Sequence, residues 1–361
     1  MSGMSHLRWL MPDIQVVHSE KIPLGEEVAR LNDSRDGVIL VGKWSSEWPR
    51  LLESLKKMGA RWHRVVYVDE RDAEKSGLRL EDVVEAYKAF LEASTRYLSI
   101  VVFDTDKTVS RRVLLRSGLR ALFVYTALLD VASEKCASLK TCSLCMASCP
   151  YGVMKGKPPR ASREKYTECG LCTSSCPTSF LYTPTHPPDA VKRFLNELAA
   201  RGANRLVVTC PANREKVYEK EDTRSVVPEL PCIASLRVQE YLYARLLGLE
   251  ATFFCPEEAR EKCPRARALE EYLSLIGEAE KVMGPSSKRG QTYSDKLPGI
   301  LAALVSDIDD WIPLTRLGVF RVRVDENICT LCGACAKACP VQALILVRGD
   351  KYNLLFNHSS C

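Results

Sequence analysis

Residues 328–340 read ICTLCGACAKACP. In this run Cys329, Cys332, Cys335 and Cys339 follow the spacing C-x2-C-x2-C-x3-C-P, in which three thiolates wrap a short loop around one iron-sulfur cube. The fourth, before Pro340, falls on the next helical turn. In loops of this kind it reaches a neighbouring cube that has its own C-x2-C-x2-C run. Beyond it, the apolar ALILV, the turn signal RGD and YNLLF predict a short hairpin. Cys361 then stands where the first cysteine of a second run belongs, so the expectation is a two-cluster module cut short. The alternative is a single-cluster module in which Cys361 bends back as the remote fourth ligand.

The rest of the cysteine pattern divides the chain. Of 361 residues, the first 135 contain no cysteine, and all 16 lie from Cys136 onward. No secretory signal precedes them, so metal ligation is expected rather than disulfides, and a cytoplasmic location with it. The most apolar windows, such as LRALFVYTALLDVA, are short and interrupted by Arg120 and Asp130, so no membrane span is expected. The formal charge of +6 counts every cysteine as neutral. Metal-bound thiols are deprotonated, and two or three cubes at about −2 each would cancel most of the excess. The basic residues are also dispersed, which argues against a nucleic-acid partner.

A second cysteine-rich segment, 136–183, repeats C-x2-C-x3-C-P at Cys142, Cys145 and Cys149 and again at Cys169, Cys172 and Cys176. Each copy lacks the usual leading cysteine; Leu139 and Tyr166 stand in those places. A zinc ribbon would use Cys142, Cys145, Cys169 and Cys172, but it gives no role to two further cysteines, each before a proline. On a crossed scheme one cube takes Cys142, Cys145 and Cys176 with Cys136 as the fourth ligand. The other takes Cys169, Cys172 and Cys149 without an evident fourth, and is expected to be a three-iron or labile cluster, with Tyr166 as a weak alternative ligand.

The remaining segments alternate strands and helices. Residues 1–135 contain the β-rich runs DGVILVG, WHRVVYVD and LSIVVFD between amphipathic stretches such as PRLLESLKKMG and LEDVVEAYKAFLEAS. That pattern predicts a small parallel sheet. No G-x-G-x-x-G follows a strand, so no dinucleotide site is assigned and a docking or scaffold role is expected. In 184–283 the strands RLVVT, SVVPELP and ATFF lead to Cys210, Cys232 and Cys255, with Cys263 eight residues on. Parallel strands share a carboxyl edge where ligand sites form, so these cysteines are expected to converge. Packed structural thiols are the alternative.

The stretch from Cys210 to Cys263, with its cysteine after a strand, its PCIASL segment and its paired FCPEEAREKC end, resembles the iron-sulfur (delta) subunit of methyl-viologen-reducing hydrogenase. That family passes electrons between hydrogenases and heterodisulfide reductases. The resemblance implies a 2Fe-2S cluster on Cys210, Cys232, Cys255 and Cys263. It departs from the family at Cys210, where paired cysteines are usual. The flanking modules resemble polyferredoxins of archaeal heterodisulfide-reductase-type complexes.

The expected fold is therefore α/β plus α+β, with small parallel-sheet domains combined with ferredoxin-like two-cluster modules. The expected segments are a cysteine-free domain (1–135), a 4Fe-4S module (136–183), a delta-subunit-like domain (184–283), a linker and helix (284–317), and a C-terminal 4Fe-4S module (318–361). The expected function is electron relay between redox protein partners of the hydrogenase or heterodisulfide-reductase type, without bond chemistry in this chain. No Ser-His-Asp or Cys-His constellation is evident among the five scattered histidines. Two other classes are open: a thiol-disulfide or heterodisulfide-reducing enzyme acting at Cys210, Cys232, Cys255 and Cys263, and a zinc-stabilised scaffold.

Overall fold

The computed structural model describes residues 12–95, 100–103, 123–126, 130–131, 136, 142–162, 165–176, 180–183, 185–219, 225–283, 300, 324–325, 327–339, 342–349 and 352–356. The chain divides into two compact units, one of Met1–Leu128, Thr183–Ile233 and Leu249–Arg260, the other of Leu129–Tyr182, Ala234–Gly248 and Glu261–Cys361. The first unit thus combines most of the cysteine-free segment with much of the 184–283 segment. Among the described residues no helix is long and apolar enough to cross a membrane.

In the first unit the strand Gly37–Gly42 lies between Ile14–His18 and Val65–Asp69, parallel to both. All six of its residues are buried, as a near-continuous apolar run requires of a central parallel strand covered on both faces. The helix Trp48–Lys57 begins with Pro49 in its first turn, where a missing N–H costs nothing. It packs Trp48, Leu51 and Leu55 into a core with Val38, Leu40, Trp44 and Tyr67. Trp44 stacks on Tyr67 with ring centroids 4.3 Å apart. The helix Leu80–Ser94 packs along Pro188–Ala200, with the Tyr87 and Phe194 rings 4.7 Å apart, which is why two segments distant in sequence form one unit.

Three details depart from the sequence reading. The strand Ile14–His18 and the helix Gly25–Ser34 precede the first run read as β. Ile100–Phe103 pairs antiparallel with Phe123–Thr126 instead of extending the parallel sheet. Arg205–Val208 and Glu250–Phe253 pair in parallel as expected, but SVVPELP makes only the isolated parallel bridges Leu206↔Val226 and Thr209↔Glu229. Pro228 lies between those bridges, and a proline has no N–H to give to a ladder.

The second unit contains two short antiparallel pairs around the middle cysteines. Asp130–Val131 pairs with Leu181–Tyr182, and Met154–Lys155 with Arg160–Ala161. Two single helical turns lie between strands of different pairs, Leu144–Ala147 between Asp130–Val131 and Met154–Lys155, and Leu171–Ser174 between Arg160–Ala161 and Leu181–Tyr182. The order strand, turn, strand therefore occurs twice, matching the repeat in sequence. The hairpin Leu344–Arg348 with Tyr352–Phe356 follows the C-terminal cysteine loop.

Candidate iron-sulfur sites

The middle module builds its site from the two helical turns. Cys145 and Cys172 occupy equivalent places in them, both buried. They share one apolar core with Val153, Met154 and Leu181, against which Cys149, Cys176, Tyr151 and Tyr166 pack. The turn at 171–174 is entered through Gly170 at φ +74°, a left-handed conformation that glycine adopts without steric cost.

The electrostatic neighbours of the buried thiols cross between the two runs. Burial pushes the Cys145 thiol up to about 12, helped by Cys176, Cys142 and Cys136 as charged neighbours. Cys176, from the second run, thus stands with the first. Burial also raises Cys172 well above the ordinary thiol range, followed by the effects of Cys169, Cys149 and Cys145. Cys149, from the first run, thus stands with the second. Cys169 is raised by burial, an effect opposed by the Leu171 amide, the Thr167 side chain and the Arg265 guanidinium.

Buried thiolates that repel one another are stable only with positive charge among them, and metal coordination deprotonates thiols outright. The donor set therefore fits a thiolate-held cluster. Among the described residues no three His, Cys, Asp or Glu side chains are gathered tightly enough to bind a single metal ion. An iron-sulfur cluster instead spreads its thiolates over several irons.

In the C-terminal module Leu331 and Gly333 take φ of +52° and +77°, coiling the loop between Cys329 and the helix Ala334–Ala338. Cys332 and Cys335 are exposed, and Cys329 and Cys339 are half-buried. The Ala334 amide, and after it the Thr330 side chain, holds the Cys332 thiol below its ordinary value. The Ala343 amide donates to Cys339 Sγ at 3.3 Å. Cys361 lies outside the described residues.

At the edge of the first unit, Thr209 ties three chain segments together. Its carbonyl accepts from the Leu230 amide at 3.0 Å, and its hydroxyl donates to the Phe254 carbonyl at 3.0 Å. Cys210, Cys232 and Cys255 follow these residues by one, two and one positions, so the backbone brings their attachment points to one sheet edge. Asn213 Nδ2 donates to Cys210 Sγ at 3.3 Å. Cys263 belongs to the second unit. Neither Asn213 nor Arg265 was singled out from sequence; each becomes visible only through the cysteine it faces.

Two family models, each described as a 4Fe-4S binding domain, match residues 322–345 and 167–179. Neither the curated proteins nor the solved structures include a match. Each cysteine-rich module thus carries one match to a 4Fe-4S binding domain, which supports a ferredoxin-like iron-sulfur protein.

Proposed function

We propose that the chain is a relay that passes single electrons between redox proteins through several iron-sulfur clusters. The observation that carries this reading is that thiols of both runs gather in one core, with Cys145 and Cys172 buried together and Cys149 and Cys176 packed against them. When bound, a 4Fe-4S cube takes up and releases one electron without making or breaking covalent bonds in a substrate. The chain's own residues hold the thiolates, and the apolar wall of Val153, Met154 and Leu181 keeps water from them, which tunes reduction potential. Cys329, Cys332 and Cys335 would hold a further cluster at an exposed loop, suited to exchange with a docked partner, with Cys339 placed to serve a neighbouring cube. Cys210, Cys232 and Cys255 form a separate thiol set at the sheet edge. The donor and acceptor are proposed as subunits of the hydrogenase or heterodisulfide-reductase type, on the resemblance described above.

Reductive titration of the anaerobically prepared protein distinguishes relay from thiol chemistry. Stepwise uptake of single electrons, reversed by an oxidant with no change in titratable thiols, is expected. Uptake in two-electron steps that each release a pair of thiols, as disulfide reduction requires, would contradict the relay.

A further inference from the structure

On the crossed scheme Cys149, Cys169 and Cys172 offer three thiolates where a cube takes four. A segment distant in sequence is fastened beside it. Arg265 Nε donates to the carbonyl of Thr167, 98 residues away, and its guanidinium faces the Glu168 carboxylate at 3.9 Å. The Arg265 side chain is thereby clamped to the two residues that precede Cys169. The Arg265 amide in turn donates to Cys263 Sγ at 3.4 Å. Two residues of chain span at most about 7 Å, so the Cys263 backbone is held within that reach of the Arg265 backbone, whose side chain makes the anchor. The helix Ala266–Met283, which begins just after, packs on the turn Leu171–Ser174 that carries Cys172. Cys263 is itself half-buried and belongs to the same compact unit as the three thiols.

We propose that Cys263 is the fourth ligand of the cluster held by Cys149, Cys169 and Cys172, which makes that cluster a 4Fe-4S cube. The proposal rests on the iron-sulfur reading above. Each of the four thiols loses its proton on binding iron, and Arg265 acts as a positioning residue, fixing the 263–265 turn against the 167–169 loop. Tyr166 is then a packing residue of the core. Cys263 is assigned away from the sheet-edge set of Cys210, Cys232 and Cys255.

The test uses the full chain, purified anaerobically as wild type, Cys263→Ser, Cys255→Ser and the double variant Cys263→Ser with Tyr166→Cys. Ferricyanide removes one electron from a cube with a weak fourth ligand, and one ferrous ion leaves, giving a paramagnetic three-iron centre. Cys263→Ser is expected to show an additional three-iron EPR signal, spin-counted against wild type, and a lower iron content after oxidation. Cys255→Ser should show no such addition. The double variant, with a cysteine at the leading position of the second run, should lose it again. Unchanged EPR and iron content in Cys263→Ser would overturn the proposal. Alkylation of the wild-type holoprotein, read by mass spectrometry, tests the same point without a variant. Cys263 should be protected until a chelator removes iron, and equal labelling before and after removal would overturn the assignment. A wild type lacking iron and sulfide would instead refute the underlying iron-sulfur reading.

Discussion

Arg214→Ala is expected to cost the first unit about 3–5 kcal/mol, the range seen when one partner of a buried ion pair is removed. Arg214 is fully buried. Its guanidinium donates to Asp72 at 2.8 Å, to the Tyr67 carbonyl at 3.0 Å, to the Tyr218 hydroxyl at 3.1 Å and to Glu229 at 3.4 Å. Asp72 also accepts from the Tyr218 hydroxyl at 2.7 Å and the Val227 amide at 3.2 Å. Burial already pushes the Asp72 carboxyl up to about 6, against the pull of Arg214, and burial likewise raises Glu229. Without the guanidinium both carboxyls would be left buried and uncompensated. Denaturant unfolding followed by the fluorescence of Trp44, Trp48 and Trp62 would measure the loss. A change below about 1 kcal/mol, the level of a surface pair, would contradict it. A matched apolar replacement, Arg214→Met with Asp72→Leu, should recover much of the stability, because the pair's desolvation penalty disappears with it.

Gly170→Ala should damage the second unit by about 3 kcal/mol and reduce its iron content. Two costs add here. The residue sits at φ +74°, and a side chain there costs about 1–2 kcal/mol. A Cβ would also lie 2.4 Å from Ser235 Cα, an overlap that backbone must move to relieve, at about 1–3 kcal/mol. That movement opposes a clamp, since Ser174 Oγ donates to the Ala234 carbonyl at 2.8 Å and Gln239 Nε2 to the Cys176 carbonyl at 2.6 Å. Gly170 lies between Cys169 and Cys172, so the displacement is felt at the proposed ligands. Gly152→Ala is the control, with φ +61° and nothing within 4 Å of its Cβ; it should carry only the conformational cost. Equal melting temperatures and iron contents for the two variants would show that the Ser235 segment yields freely.

The parts legible in the sequence are those fixed by local chemistry. Cysteine spacing is set by a loop of a few residues, so the repeated runs at 142–149 and 169–176 and the hairpin after Cys339 could be read directly. Long apolar runs such as GVILVG identify a covered strand for the same reason. The buried network could not be read, because Asp72 and Arg214 are 142 residues apart and each resembles an ordinary surface charge within its own helix. Ile14–His18 is a short run whose β character depends on its neighbour Gly37–Gly42. Arg265 looked like one basic residue among many until the fold brought it to Thr167. Sequence order also suggested grouping Cys263 with the cysteine eight residues before it, whereas the Arg265 side chain two residues on is bound to Thr167 in the middle module.

Chemical analysis of the anaerobically purified chain for iron, acid-labile sulfide and zinc tests the central claim most directly. Thiolate-held cubes predict iron and sulfide in equal amounts, at several of each per chain, with zinc near zero. Zinc bound without sulfide would contradict the account and return the paired cysteines to a structural ribbon.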